Sequence, residues 1–300
     1  MKIRFVTLGC KLNFAESSAL GKVLLSRGHQ RASLSEVPDL CVVNTCSVTD
    51  AADHKDRQAI NQLHRKYPNT IIVVTGCYAQ LQPEQISHIE GVDYVLGQNE
   101  KYDIPALVEE IEQQLLNRLS PNANYPSPIA NRIRVAAIRE VEEFHGVRSG
   151  DDRTRCFIKV QDGCNYFCTY CTIPYARGKS RNPKIEEVLQ NAQEAIDQGV
   201  KELILTGVNI GDFGRSTGES FIDLLRALDK LEEARGERLE AKGMDYRIRI
   251  SSCEPNLLTD EIIDFVAKSK HFAPHFHIPL QSGSNEVLAI MKRRYARVVC

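Results

Sequence analysis

Apolar residues recur along this chain in short runs, each closed by glycine or a polar residue and followed by a longer amphipathic stretch. The runs Ile3–Leu8, Leu40–Val43, Thr70–Thr75 and Val92–Leu96 predict strands. Helices are predicted over Phe14–Ser26, with Leu20, Val23 and Leu24 on one face, over Ala51–Lys66, after Pro83, and over Ile104–Leu116. Strands alternating with helices predict an α/β fold, a parallel, doubly wound sheet over residues 1–117. Residues 118–152 break the rhythm. Asn117–Pro128 holds three prolines and three asparagines, which reads as linker. A strand is expected at Ile133–Val141 and a charged loop at Asp151–Arg155.

The alternation resumes in residues 153–300. Strands are predicted at Phe157–Gln161, Leu203–Thr206, Arg247–Ser251 and His275–Leu280. Helices are predicted at Ile185–Gln198, Ile222–Arg235, Asp260–Ser269 behind a Thr259 N-cap, and Asn285–Arg293. That is four βα units in series. The two halves share this rhythm without an exact internal repeat.

Composition adds little at first. The 300 residues are 42% hydrophobic and 26% charged, with net charge −1, an ordinary globular balance. It excludes a generic nucleic-acid coat or a polybasic membrane binder, both of which need a positive field. No apolar run approaches the roughly 20 residues of a membrane span, and no secretory leader follows Met1. A cytoplasmic protein that does not bind membranes is expected.

The ten cysteines change the picture, because in the cytoplasm disulfides are disfavoured and regular spacing points to metal or catalysis. Cys164, Cys168 and Cys171 form a CxxxCxxC just after a predicted strand and Gly163. Three thiolates this close can hold three irons of a 4Fe-4S cubane and leave the fourth open to a substrate's amino and carboxylate groups. Zinc prefers paired CxxC knuckles and a fourth ligand, and none is evident. Cys10, Cys46 and Cys77 each lie just past a predicted parallel strand and before a helix start. The carboxyl ends of such strands line one crevice, so the three can converge although far apart in sequence. Isolated core cysteines are the competing reading for either set.

The first motif, with Tyr170 before its third cysteine, resembles that of the radical S-adenosylmethionine superfamily. With the second set the likeness narrows. Thr7–Asn13, Val43–Thr49, Thr75–Gln80, Ile158–Gly178, Leu205–Asn209 and Phe276–Gly283 together resemble the methylthiotransferases. Gly9-Cys-Lys-Leu-Asn13 and Ile173-Pro-Tyr-Ala-Arg-Gly178 look most like their MtaB-type branch. The resemblance implies an N-terminal three-cysteine domain over 1–117 with an auxiliary 4Fe-4S cluster on Cys10, Cys46 and Cys77. It implies a partial radical SAM (β/α) barrel over 153–300, whose own 4Fe-4S cluster sits on Cys164, Cys168 and Cys171 and binds S-adenosyl-L-methionine. The reaction implied is addition of a methylthio group to position 2 of N6-threonylcarbamoyladenosine at position 37 of tRNA. Isopentenyladenosine in tRNA or a ribosomal protein aspartate are alternative substrates. Partners implied are the tRNA anticodon loop, an electron donor such as flavodoxin or ferredoxin, and a sulfur donor.

By the same resemblance Tyr170, Thr206, Gly207, Asn209, Ser251 and Gln281 line the cofactor and nucleoside cavity. Turn and helix-entry roles compete for these positions. No side chain stands out as a catalytic acid or base. His275 and His277 read as one face of a strand, more a packed interior than a metal pair. Lys292, Arg293, Arg294 and Arg297 read as a solvated helix face. Cys41 and Cys156 read as structural, while Cys253 and Cys300 receive no role. The family barrel has six βα units against the four counted, and its RNA-binding TRAM-type domain is not found. An incomplete radical SAM core in a C-terminally truncated chain is therefore expected. A fragment that only binds iron–sulfur clusters is the alternative of another class.

Overall fold

A computed structural model describes residues 1–118, 132–150, 154–231 and 246–297. The chain divides into two compact units, Met1–Val141 and Glu142–Cys300.

The first unit is built on β1 (Lys2–Thr7), α1 (Lys11–Ser26), β2 (Gln30–Arg31), β3 (Leu40–Thr45), α2 (Asp50–Lys66), β4 (Ile71–Gly76), α3 (Cys77–Leu81), α4 (Pro83–Ser87), β5 (Val92–Leu96), α5 (Ile104–Arg118) and β6 (Ile133–Arg134). All six strands are parallel, in the order β2-β1-β3-β4-β5-β6. β3 is central and buried along its whole length, which is why its first four residues, Leu40–Val43, form a continuous apolar run. Side chains alternate between the faces of a strand. Leu40, Val42 and Val73 pack with Leu20, Leu24, Ile104, Leu107 and Ile111 on one side. Cys41, Val43, Ile72 and Val74 pack with Ile60 and Ile86 on the other. The sheet is thus covered on both faces, as the doubly wound reading requires.

Several boundaries move. α1 starts at Lys11, not Phe14, with Cys10 in the N-cap position. The two exposed polar residues of β2 carry no apolar pattern and were not foreseen. The strand expected over Ile133–Val141 is only Ile133–Arg134, and a 3₁₀ turn at Ile138–Glu140 follows it. This strand pairs with β5, so the first unit extends to Val141. The bulk of the expected linker (119–131), residues 151–153 of the charged loop, the end of the Ile222–Arg235 helix and Cys300 lie outside the described residues.

The second unit contains β7 (Arg155–Lys159), α6 (Ile173–Arg177), α7 (Ile185–Asp197), β8 (Glu202–Thr206), α8 (Phe221–Asp229), β9 (Arg247–Ile250), α9 (Asp260–Lys268) and α10 (Asn285–Ile290). Its sheet is parallel, β7-β8-β9. Leu203 and Leu205 of the sheet meet Val188, Ile196, Leu224, Leu225 and Leu228 of the helices, each such buried side chain contributing about 1.5–3 kcal/mol. Thr259 caps α9 as expected, accepting the Ile262 N–H.

The predicted strand at His275–Leu280 does not form. Two isolated bridges, Ile248 with Phe272 and Ser252 with His277, mark its path beside β9. Pro274 and Pro279 remove two backbone donors from this segment, and a proline cannot donate to a ladder. His275 and His277 are therefore not a strand-face pair; both are exposed, and His277 Nδ1 lies 2.8 Å from Ser252 Oγ.

Candidate functional site

In the first unit the ligand edge is the row of strand carboxyl ends. The sheet order changes direction between β1 and β3, where chains of this class open a crevice. Cys10 follows β1 and Cys46 follows β3, so they flank that point, and Cys77 follows β4. Register brings the ends level, with Thr7 opposite Asn44 and Thr45 opposite Gly76. Asn13 ties two of them together, its Nδ2 donating to Leu8 O and Thr45 O at 2.9 Å each. Gly9, at φ 97°, lies against Cys46: a Cβ there would stand 2.8 Å from the Cys46 sulfur. Close approach of this kind needs glycine.

Cys46 and Cys77 are buried and Cys10 is exposed. Burial pushes the Cys46 thiol up to about 12, and the neighbouring Cys77 and Cys10 add to the rise. Cys46 thus lies within electrostatic reach of both Cys77 and Cys10. The Cys46 N–H donates to Asp56 Oδ2 at 2.9 Å. Gln98 Nε2 lies 3.4 Å from the Cys77 sulfur.

In the second unit the CxxxCxxC loop runs from the end of β7 to α6. Its first turn is fixed by Asp162, which receives Lys159 at 2.7 Å, Arg177 at 3.0 Å and Arg181 at 3.2 Å. The Cys164 N–H donates to Gly178 O at 3.0 Å. Gly163 leaves no room for a side chain, since a Cβ would lie 2.0 Å from Lys179 O. Phe167 occupies the left-handed region at φ 50°, an unusual conformation for an aromatic residue. Burial pushes Cys164 up to about 11, with Cys171 and Cys168 raising it further. Burial also raises Cys171, again with Cys168 adding to it. Cys164 thus lies within electrostatic reach of both Cys171 and Cys168.

The structure gathers most of the other sequence-predicted residues at the carboxyl ends of β8 and β9. Thr206 and Asn209 are buried, as is Ser251. Gly207 packs on Gln161, whose backbone oxygen lies 2.8 Å from where a Cβ would stand. Asn209 Nδ2 and Ser251 Oγ are buried with no hydrogen-bond partner among the described residues. Two orphaned polar atoms at one sheet edge are what a polar ligand would satisfy. Tyr170 is half exposed and its hydroxyl accepts from Arg293 at 3.2 Å. Gln281 is exposed, at φ 61° after the segment that forms no strand.

Two residues were missed. Gln161 is fully buried and joins the cysteine loop to the end of β8. Its Nε2 donates to Gly163 O at 2.7 Å, and its Oε1 accepts from Val208 N and Asn209 N at 3.0 and 2.9 Å. Its only sequence signal is a polar residue ending an apolar run. Arg293 is not part of a solvated face. Its side chain is 4% exposed and pairs with Glu254, while Nη1 donates to the Cys168 sulfur at 3.2 Å. Arg294 stacks 4.1 Å over the Tyr166 ring. Thr169 N also donates to Met291 O, so the end of α10 braces the cysteine loop.

The remaining cysteines among the described residues belong to the cores. Cys41 packs in the first unit, and Cys156 and Cys253 in the second. Among the described residues no three His, Cys, Asp or Glu side chains stand in an arrangement that could hold a metal ion. No helix among them is long and apolar enough to cross a membrane.

A family described as "Uncharacterized protein family UPF0004" matches residues 2–97, and the radical SAM superfamily matches residues 158–299. The chain is 38% identical over 98% of its length to threonylcarbamoyladenosine tRNA methylthiotransferase MtaB of Bacillus subtilis, covering 60% of that protein. With the MtaB of Aquifex aeolicus it shares 35% identity over 99% of its length, covering 67% of that protein. It is 31% identical to tRNA-2-methylthio-N(6)-dimethylallyladenosine synthase of Fusobacterium nucleatum, over 99% of this chain and 63% of that one. The chain thus spans about 60–67% of the length of these relatives. Among solved structures, the radical S-adenosylmethionine methyltransferase TsrM of Kitasatospora setae superposes with a TM-score of 0.64 at 15% identity, covering 99% of this chain and 63% of that one. That likeness concerns the fold alone. Two family matches in tandem, each spanning one cysteine trio, and relatives of this name along nearly the whole chain place it among the radical S-adenosylmethionine methylthiotransferases, on their MtaB-type branch.

Proposed function

We propose that this chain carries the catalytic machinery that adds a methylthio group to position 2 of N6-threonylcarbamoyladenosine at position 37 of tRNA. Its support is that Cys10, Cys46 and Cys77 follow three adjacent parallel strands at one sheet edge while Cys164, Cys168 and Cys171 share the loop after β7, in a chain whose relatives bear that activity in their names. Cys164, Cys168 and Cys171 would hold a 4Fe-4S cluster with one open iron, and Cys10, Cys46 and Cys77 an auxiliary 4Fe-4S cluster. The orphaned Asn209 and Ser251 atoms suit the polar groups of S-adenosyl-L-methionine, with Tyr170, Thr206, Gly207 and Gln281 as neighbours. When bound, these groups supply one-electron reductive cleavage and a sulfur to transfer, the hard chemistry that cofactors carry.

The chain's own residues position and shield. Asp162 and its three cations fix the turn that presents Cys164. Gln161 locks the end of β8 to that turn, so cysteines and cavity keep one geometry. Arg293 donates to Cys168 and balances Glu254, whose carboxyl burial raises. The thiols of Cys46, Cys164 and Cys171, all raised by burial, would give up their protons on loading. The reaction further calls for the tRNA anticodon loop as substrate, an electron donor such as flavodoxin or ferredoxin, a sulfur donor, and a cytoplasmic setting.

Anaerobic reconstitution tests the cofactor assignment. About eight irons per chain are expected, falling by about four in Cys164→Ala or Cys77→Ala. Stoichiometric zinc without visible absorption would overturn it. Because dimethylallyladenosine synthases stand among the relatives, isopentenyladenosine is the second substrate reading. Nucleoside mass spectrometry of tRNA from a deletion strain separates the two. Loss of the methylthio-threonylcarbamoyl nucleoside is expected, and an unchanged pool contradicts the assignment.

A further inference from the structure

Behind Cys77 lies a buried polar chain that the proposed reaction does not use. Gln98 follows β5 and is 4% exposed. Its Nε2 lies 3.4 Å from the Cys77 sulfur, and its Oε1 accepts from Lys101 Nζ. Its own backbone N–H donates to Gln80 Oε1 at 2.8 Å. Lys101, in the 3₁₀ turn Glu100–Asp103, is 1% exposed and pairs with the fully buried Glu16 of α1 at 2.5 Å. Tyr102 Oη donates to the other Glu16 oxygen at 3.4 Å.

A side-chain amide has two ends of nearly the same shape, and its neighbours decide which way it points. An ammonium only donates. Lys101 therefore takes the amide oxygen and turns the NH₂ group to the sulfur. Glu16 cancels the lysine charge, so the sulfur meets an oriented dipole rather than a free cation. Burying both ions is costly, and apolar side chains of like volume would join α1 to this turn at least as well. An orienting role explains why a charged pair stands here.

We infer that Gln98 is an outer hydrogen-bond donor to the Cys77 sulfur, held in its donating orientation by the buried Lys101–Glu16 pair. This rests on the reading that Cys77 holds an iron–sulfur cluster. An N–H bond to a ligand sulfur stabilises the more electron-rich reduced form and raises the cluster's reduction potential. Gln98, Lys101 and Glu16 are positioning residues in this scheme, since none of them is a ligand.

The test uses the full chain carrying Cys164→Ala, Cys168→Ala and Cys171→Ala, which leaves the auxiliary cluster as the only signal. Its potential is read by redox titration followed by electron paramagnetic resonance. Gln98→Leu is expected to keep about four irons and to shift the potential downward. Gln98→Glu keeps an acceptor for Lys101 and removes the donor, so it covers the case in which leucine disturbs packing; it is expected to lower the potential further. The pair variant Lys101→Met with Glu16→Leu is expected to shift the potential in the same direction, and adding Gln98→Leu to it to change nothing more. An unchanged potential in an iron-replete Gln98→Leu or Gln98→Glu protein overturns the inference, as does full additivity. Failure of the underlying reading looks different: Cys77→Ala would then keep its iron in this same background.

Discussion

Asp56 shows how much a single residue can hide in a sequence. In Asp50–Lys66 it reads as one more charge on a polar helix, yet it is buried with one oxygen on the Cys46 N–H. Burial holds its carboxyl up at about 7, against the opposing pull of that N–H. Between the ordinary carboxylate value and about 7 the folded state keeps a proton that the unfolded chain has lost. The stability from this group is therefore fully present below the ordinary value and lost as pH rises through about 7. Asp56→Asn keeps an acceptor for Cys46 and is expected to flatten that slope in cluster-free protein, by up to a few kcal/mol at neutral pH. Denaturant melts of both proteins at several pH values measure it, and parallel pH profiles would refute it. Arg293 was hidden in the same way. Three neighbouring basic residues look alike as a sequence, and only the packing of α10 on the cysteine loop separates the one that meets Cys168 and Glu254.

At the scale of elements, the strand-then-cysteine pattern was legible because backbone periodicity and the motif point to the same edge. It also has a limit. Cys253 follows β9 much as Cys77 follows β4, yet its sulfur is packed against Gly211, and its thiol is pushed to about 12 by burial first and Glu254 second. What decides is whether the loop beyond the strand leaves the crevice open, and loop packing is a long-range property. Cys253→Ala is expected to leave reconstituted iron unchanged while costing about 1 kcal/mol of stability, as iron assay and thermal melts would show. A parallel loss of iron would make Cys253 a ligand. The missing strand at His275–Leu280 has a similar origin: the apolar pattern is present, but its ladder with β9 is reduced to single bridges at Ile248 and Ser252, so pairing and not propensity set the outcome.

For the whole molecule, the division into two units was legible from the break in alternation, though not its place, because two residues of β6 return to the first sheet across residues with no regular pattern. The first unit has its own cores on both faces of its sheet. Residues 1–141 alone are expected to fold and take up about four irons; an unfolded or iron-free fragment would show that its stability is borrowed. The near-neutral charge excludes a general affinity for nucleic acid, so the proposed tRNA substrate would be recognised through local contacts. The trio of that first unit is unequal, with Cys10 open to solvent and Cys46 and Cys77 enclosed. Such a site has a front and a back. Under the proposed cluster assignment, iron and sulfide would meet Cys10 first, while the enclosed thiol of Cys46, holding its proton to about 12, would be a poor target for oxidants and alkylating agents until metal displaced that proton. On that assignment maturation of this domain would be an acid-releasing reaction, its enclosed thiol kept chemically quiet until metal arrives.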